Sequence, residues 1–175
     1  LIDAGGSRYG YASDITRTYA AGKGLFAELV ERMDEAQLAL IDTMTPGMPY
    51  LDLHVDMHRR LGHILADTGI VHCSAEEAFD AGLTETFFPH GLGHLIGLQT
   101  HDVGGQQNSP EGGQIPPPGN YPALRLTRTL TDRMPVTIEP GMYFIPMLLD
   151  AASDSPAGRY LNRTLIESLL PCGGI

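Results

Sequence analysis

Apolar residues between 25 and 44 recur at helical spacing: Phe26, Leu29, Val30, Met33, Ala36, Leu40 and Ile41, with Glu28, Glu31, Arg32 and Glu35 on the opposite side. A wide apolar stripe facing a charged face predicts an amphipathic helix. Pro46-Gly47 stops it. A second helix is predicted over 50–68, with Leu51, Val55, Leu61 and Leu65 on one stripe and Gly69 as its C-terminal stop. Ser74 followed by Glu77 is a capping-box pattern and opens a short helix over 74–81. Asn162 starts another over 162–170.

The remaining segments have strand character. Residues 1–4 and 11–19, separated by Gly5-Gly6 and Tyr9-Gly10, predict a β-hairpin. Short apolar pieces within the Gly- and His-rich stretch 85–104 also read as strands, as do 123–130 and 135–146 on either side of a turn at Thr131-Asp132-Arg133. Residues 105–122 form a long polar Pro/Gly loop, and a loop of that length in a folded domain implies a task. Residues 147–160 are mixed. Strands at both ends with helices between them predict an α+β fold.

Composition narrows the function classes. A chain of 175 residues is about one domain and can bury a real core. Eleven basic residues against 21 acidic ones give a net charge of −10, which disfavours nucleic acid and anionic membranes as partners. No apolar run is long enough to span a bilayer. Two distant cysteines, Cys73 and Cys172, do not make a disulfide framework and point to a reducing cytoplasm. The chain starts at Leu1 within a strand pattern and ends on Gly-Gly-Ile, so it reads as a piece of a longer protein.

Three clusters carry candidate chemistry. If the hairpin turns at residues 8 and 9, Asp3 and Asp14 stand opposite each other. Paired carboxylates repel, so they need a shared proton or a cation, unless a bulge points them apart. His90, His94 and His101 fall within twelve positions of a glycine-rich stretch, and those glycines allow close backbone approach. Glu139 ends an apolar strand before Pro140-Gly141; by itself this is a weak signal. His54 and His58 have the i, i+4 spacing of a helical zinc site, but Val55 stands where the metalloprotease motif needs Glu, so they read as helix-face residues. Cys73 beside His72 reads as structural.

Taken jointly, Asp3, the SDITRT segment containing Asp14, FFPHGLGHLIGLQTHDVGG and TIEPGMYF closely resemble the pita-bread metallopeptidases, in particular their bacterial Xaa-Pro dipeptidase (prolidase) branch. The resemblance implies a curved antiparallel sheet with flanking helices, with residues 1–175 as part of the catalytic domain and the N-terminal domain absent. It implies two divalent metal ions, manganese first with cobalt or zinc as alternatives. Their ligands would be Asp3, Asp14, His94 and Glu139, with Asp14 bridging and Glu139 also the general base. His90 and His101 would hold substrate and the developing oxyanion. Arg125, fourteen positions before Glu139, would bind the substrate's C-terminal carboxylate. The implied reaction is hydrolysis of dipeptides ending in proline by a metal-bound hydroxide, with organophosphorus esters as a secondary substrate and a homodimeric parent. The family's fifth ligand, a Glu, falls beyond Ile175. This leaves a non-catalytic or single-metal fragment as the alternative. A metal-free relative resembling creatinase is disfavoured by the four implied ligands. A mononuclear iron oxygenase would need a second ligand histidine.

Overall fold

The structure, a computed structural model, describes residues 1–109 and 111–175. Its N-terminal hairpin is built from β1 (Ile2–Ala4), β2 (Ser7–Arg8), β3 (Tyr11–Ala12) and β4 (Ile15–Arg17). Two long helices follow, α1 (Leu25–Ile41) and α2 (Tyr50–Asp67), and then two short ones, α3 (Ala75–Asp80) and α4 (Leu83–Phe87). A small ladder, β5 (Gln107–Ser109) with β6 (Gly112–Gln114), lies inside the long polar loop. The chain closes with α5 (Pro146–Ser153), a 3-10 turn (Pro156–Tyr160), α6 (Arg163–Leu169) and a last 3-10 turn (Leu170–Cys172).

The helix α2 is the axis of the core. Leu53, Met57, Leu61 and Leu65 bury one stripe of it against α1, α3 and α4. The helix ends at Asp67 with Thr68 as its C-cap, and Gly69 is left-handed at φ 73° directly after it. In α3 the predicted capping box is complete: the Ser74 hydroxyl accepts from the Glu77 amide, and the Glu77 carboxylate accepts from the Ser74 amide. Likewise Asn162 caps α6 through the Leu165 amide.

Several expectations are corrected. The first helix stops at Ile41, short of 44. Residues 83–87 form a helix whose end runs into the stretch 85–104 that was expected to hold short strands. Pro146, at the first turn of α5, nucleates a helix where strand 135–146 was expected to end; proline's fixed φ suits that position. Among the described residues, 85–104, 123–130 and 135–146 pair through isolated bridges, Leu95 with Val136, Tyr143 with Gly174 and Pro49 with Thr129, rather than as long strands.

The hairpin register also differs. Asp3 pairs with Thr16, and Ser7 with Ala12, so the turn is centred on Tyr9-Gly10. Both turn residues have positive φ, 53° and 86°, as a two-residue mirror-image turn requires. Asp14 therefore faces Gly5 and lies diagonal to Asp3 instead of opposite it. A side chain at Gly5 would collide with the Ser13 carbonyl.

His54 and His58 face inward from α2, only 1% and 0% exposed. Burial lowers the pKa of His54 to about 3, with lesser pushes from His58 and His90; burial, then His90, lowers that of His58 to about 4. Unfolded, each titrates near 6.5. As pH falls below that value the unfolded chain takes up protons that the folded chain refuses, so stability is full above about pH 6.5 and is lost progressively towards the folded pKa values. In urea melts at pH 7.5 and 5, the wild-type chain should lose more stability than a His54→Leu/His58→Leu variant, by up to about 1.4 kcal/mol per histidine per pH unit. Equal losses in the two proteins would contradict buried neutral imidazoles.

Candidate metal centre

The backbone of residues 92–95 runs antiparallel to 136–139. The Thr137 amide donates to the His94 carbonyl (2.9 Å), and the Glu139 amide donates to the Leu92 carbonyl (2.7 Å). The Thr137 hydroxyl accepts from the His94 amide at 2.9 Å. This close pairing depends on Gly93, where any side chain would collide with the Thr137 carbonyl and the Tyr50 hydroxyl. The pairing places Glu139 diagonal to His94. A separate bond, from the Ala12 amide to the Gly97 carbonyl (2.8 Å), ties the hairpin to the same segment. Asp14 thereby reaches the His94 ring.

Asp3, Asp14, His90, His94, His101, Arg125 and Glu139 all line one cavity of about 1160 Å3. Inside it, His94 Nε2 lies 2.9 Å from Glu139 Oε1 and 3.4 Å from Asp14 Oδ2. One atom each of Asp14, His94 and His101 fall within 4.8 Å of one another. Asp3 lines the cavity outside this tightest group. Arg125 is exposed at the wall, and His101 is exposed with its ring edge-on to His94, centroids 4.4 Å apart. His54 and His58 stay in the core, outside this cavity. Cys73 and Cys172 are both free thiols.

The protonation pattern of His94 shows what this group suits. Its Nδ1 bonds the Leu95 carbonyl at 2.9 Å, and a carbonyl only accepts, so Nδ1 carries the proton. In the neutral ring Nε2 then presents a bare lone pair towards two carboxylates. His94 Nε2 and Glu139 Oε1 are both buried without a hydrogen-bond partner among the described residues. Leaving such an atom unsatisfied costs about 1–3 kcal/mol. Three acceptors converging on one point repel unless a cation sits between them. The donor set of one imidazole and several carboxylates therefore fits a divalent metal ion of the first transition row or one slightly harder. The carbonyl bond at Nδ1 is the outer-shell support that orients a ligating histidine.

The profile of metallopeptidase family M24 matches residues 1–167. The chain belongs to metallopeptidase family M24. M24 relatives similar over this whole chain include Xaa-Pro dipeptidases from Xanthomonas campestris (52% identical over 176 residues) and Shewanella loihica (47% over 175). The chain spans 40% of the length of each. Among solved structures it is similar to Escherichia coli aminopeptidase P carrying one Asp-to-Ala change. The TM-score is 0.67 at 24% identity, covering 98% of this chain and 41% of that one. It is also similar to Pseudomonas aeruginosa aminopeptidase PepP, with TM-score 0.65 and 24% identity, covering 97% and 40%. These likenesses establish the pita-bread fold for this M24 chain.

Sequence reasoning passed over Tyr143, which also lines the cavity. Its signal was available: it stands in the TIEPGMYF segment, four residues after Glu139. The Tyr143 hydroxyl lies 2.9 Å from His90 Nε2, while His90 Nδ1 lies 2.8 Å from the Gly91 carbonyl. By the same carbonyl argument His90 Nδ1 is the protonated nitrogen, so Tyr143 donates to Nε2. Burial, then Glu139 and Asp3, raises the Tyr143 pKa, so the phenol stays protonated. Both His90 nitrogens are therefore engaged. His101 makes no hydrogen bond among the described residues, so its ring is the free one at the cavity wall.

Gly93→Ala should separate the two paired segments. A cost of about 1–3 kcal/mol in a urea melt is expected, together with weakened manganese binding in calorimetry. Unchanged stability and unchanged binding would show that the close approach does not hold the site.

Proposed function

We propose that this chain carries the metal-binding catalytic site of an Xaa-Pro dipeptidase. The carrying observation is the bare His94 nitrogen facing Glu139 and Asp14 in a buried position. The M24 relatives named Xaa-Pro dipeptidase give the substrate class. Asp14, His94 and Glu139 would hold the metal, with Asp3 the next carboxylate on the same cavity wall. Manganese is the expected ion. When bound, divalent ions polarise a peptide carbonyl and acidify water.

This chain's own residues supply the rest. Glu139 takes a proton from the attacking water and passes it to the leaving proline nitrogen. His101, the free imidazole, donates to the carbonyl oxygen as negative charge develops there. His90 holds its position through Tyr143. Arg125 binds the free carboxylate of the substrate with its planar fork, which selects dipeptides over longer chains. Phosphorus esters in the same cavity are a secondary substrate class.

A second reading rests on charge. Asp3, Asp14 and Glu139 offset three of the four positive charges of two divalent ions, so these residues alone suit a single tightly held ion. The Asp14, His94 and His101 group is also a donor set that a mononuclear iron site uses. Membership of the M24 family and the place of Glu139 favour hydrolysis.

Elemental analysis of the dialysed chain, loaded with manganese, should give about one ion per chain and none in His94→Ala. Two ions in the wild-type chain would overturn the single-ion reading; equal loading of His94→Ala would overturn the site. In any preparation that cleaves an Xaa-Pro dipeptide, Glu139→Gln should lower kcat by about 10²–10⁴-fold. Arg125→Ala should raise KM by about 10–100-fold for the free acid, from the loss of about 1.5–3 kcal/mol, with little effect on the amide of the same dipeptide. An equal loss on acid and amide would remove Arg125 from carboxylate binding.

A further inference from the structure

The two histidines of α2 are absorbed by neither the metal centre nor the substrate wall, yet they sit behind it. His58 Nδ1 lies 3.1 Å from the Thr84 hydroxyl of α4. The His58 ring stacks on Tyr121 (centroids 5.1 Å apart, 22° between planes) and lies against Phe88 (5.0 Å, 32°). His54 meets the His58 ring edge-on at 4.6 Å and the Tyr121 ring edge-on at 4.4 Å. Phe88 in turn stands edge-on to His90 at 4.9 Å, and His90 bonds Tyr143. One unbroken series of rings therefore runs from α2 to the cavity wall.

His90 needs that support. A second chamber of about 130 Å3 adjoins it, lined also by His54, Phe88, Tyr121 and Leu124. A ring bordering open space turns into that space unless its neighbours resist. His54 Nδ1 and His58 Nε2 are buried without hydrogen-bond partners among the described residues. Unpartnered nitrogens cost stability that phenylalanine or leucine would not. His58 offers what those residues lack: a ring pinned through one nitrogen. The Thr84 bond fixes the plane of His58, which sets Phe88 and Tyr121, and Phe88 sets His90.

We infer that His58, with His54 packed edge-on to it, is a positioning residue, which acts through Phe88 to hold the His90 ring in its hydrogen bonds to Gly91 and Tyr143. Its value for peptide hydrolysis rests on the dipeptidase reading; the ring geometry itself does not. A dipeptide or its transition state is sensitive to displacement of a neighbouring group by even an ångström. Holding His90 holds the Tyr143 phenol, its hydrogen-bond partner on the same cavity wall.

The experiment is nitrogen NMR of the histidine rings in the 175-residue chain at pH 7.5, without metal. A His90→Asn variant assigns His90 among the seven histidines. In the wild-type chain His90 should show a well-separated pair of nitrogen resonances, Nδ1 protonated and Nε2 accepting. Thr84→Val removes the hydroxyl that pins His58 while keeping its shape, and His58→Leu removes the ring. Both should move the His90 pair towards the averaged values of a ring exchanging tautomers, and Thr84→Ser should restore the wild-type pair. A His90 pair unchanged in folded Thr84→Val and His58→Leu overturns the inference and leaves the histidines as packing alone. Should His58→Leu fail to fold, the contrast between Thr84→Val and Thr84→Ser decides. The readout needs no turnover, so a chain that cleaves no dipeptide fails the dipeptidase reading without touching this one. In an active preparation, Thr84→Val should lower kcat by up to about a hundredfold and leave KM within about twofold.

Discussion

The site depends on a lone pair that has nowhere to go. His94 is locked by the Leu95 carbonyl into the form that bares Nε2, and that nitrogen is buried against two carboxylates. In water each acceptor would find a donor; in the cavity wall no protein group among the described residues supplies one. The arrangement is stable only with positive charge at its centre. The fit of this group to a cation is thus a consequence of backbone geometry, since the pairing of 92–95 with 136–139 and the tether from Ala12 to Gly97 bring the acceptors together. An ion held there would couple its binding to the folding of these segments, because whatever binds the folded form alone also stabilises it.

Helices were legible in the sequence because their signals are local. The stripe on α2, the Ser74 box and the Asn162 cap each act within a few residues, and each stands where the pattern puts it. The hairpin register was not legible. Alternation says that two strands pair but not where they turn, and Tyr9 is an uncommon residue at positive φ. Turning one residue later moves Asp3 from Asp14 to Thr16 while keeping both carboxylates on one face. The shared cavity survives this error because the period-2 face does.

The segments between the helices were over-read as strands. Residues such as 123–130 and 135–146 are apolar because they cross the core, where Leu124, Leu126, Met142 and Phe144 are buried, and burial needs no ladder. Their backbone groups pair in short runs, as 136–139 do with 92–95, or singly, as the Leu130 amide does on the Met48 carbonyl and the Tyr143 amide does on the Phe87 carbonyl. Such short, long-range pairing leaves no sustained period in the sequence. It is also what lets residues from the hairpin, the 90s, the 120s and the 130s–140s meet around one cavity.

Motif residues and supporting residues separate on the same ground. His90, His94, His101 and Glu139 stand out because polar groups interrupt glycine-rich or apolar text. Thr84 and Thr137 do not, since nothing in their neighbourhood marks them as polar partners rather than filler, and Tyr143 is marked only by its place in the TIEPGMYF segment. Yet Thr137 holds the His94 amide, Tyr143 occupies His90 Nε2, and Thr84 bonds His58. Tyr143 and Thr84 each fix the direction of an imidazole whose identity alone says nothing about which nitrogen is free, and Thr137 fixes the backbone that carries a third. A site read from sequence is thus a list of donors and acceptors without orientation. Here the carbonyls of Gly91 and Leu95 supply that orientation: they force the proton onto Nδ1 of both histidines and leave one Nε2 to Tyr143 and the other to the carboxylates.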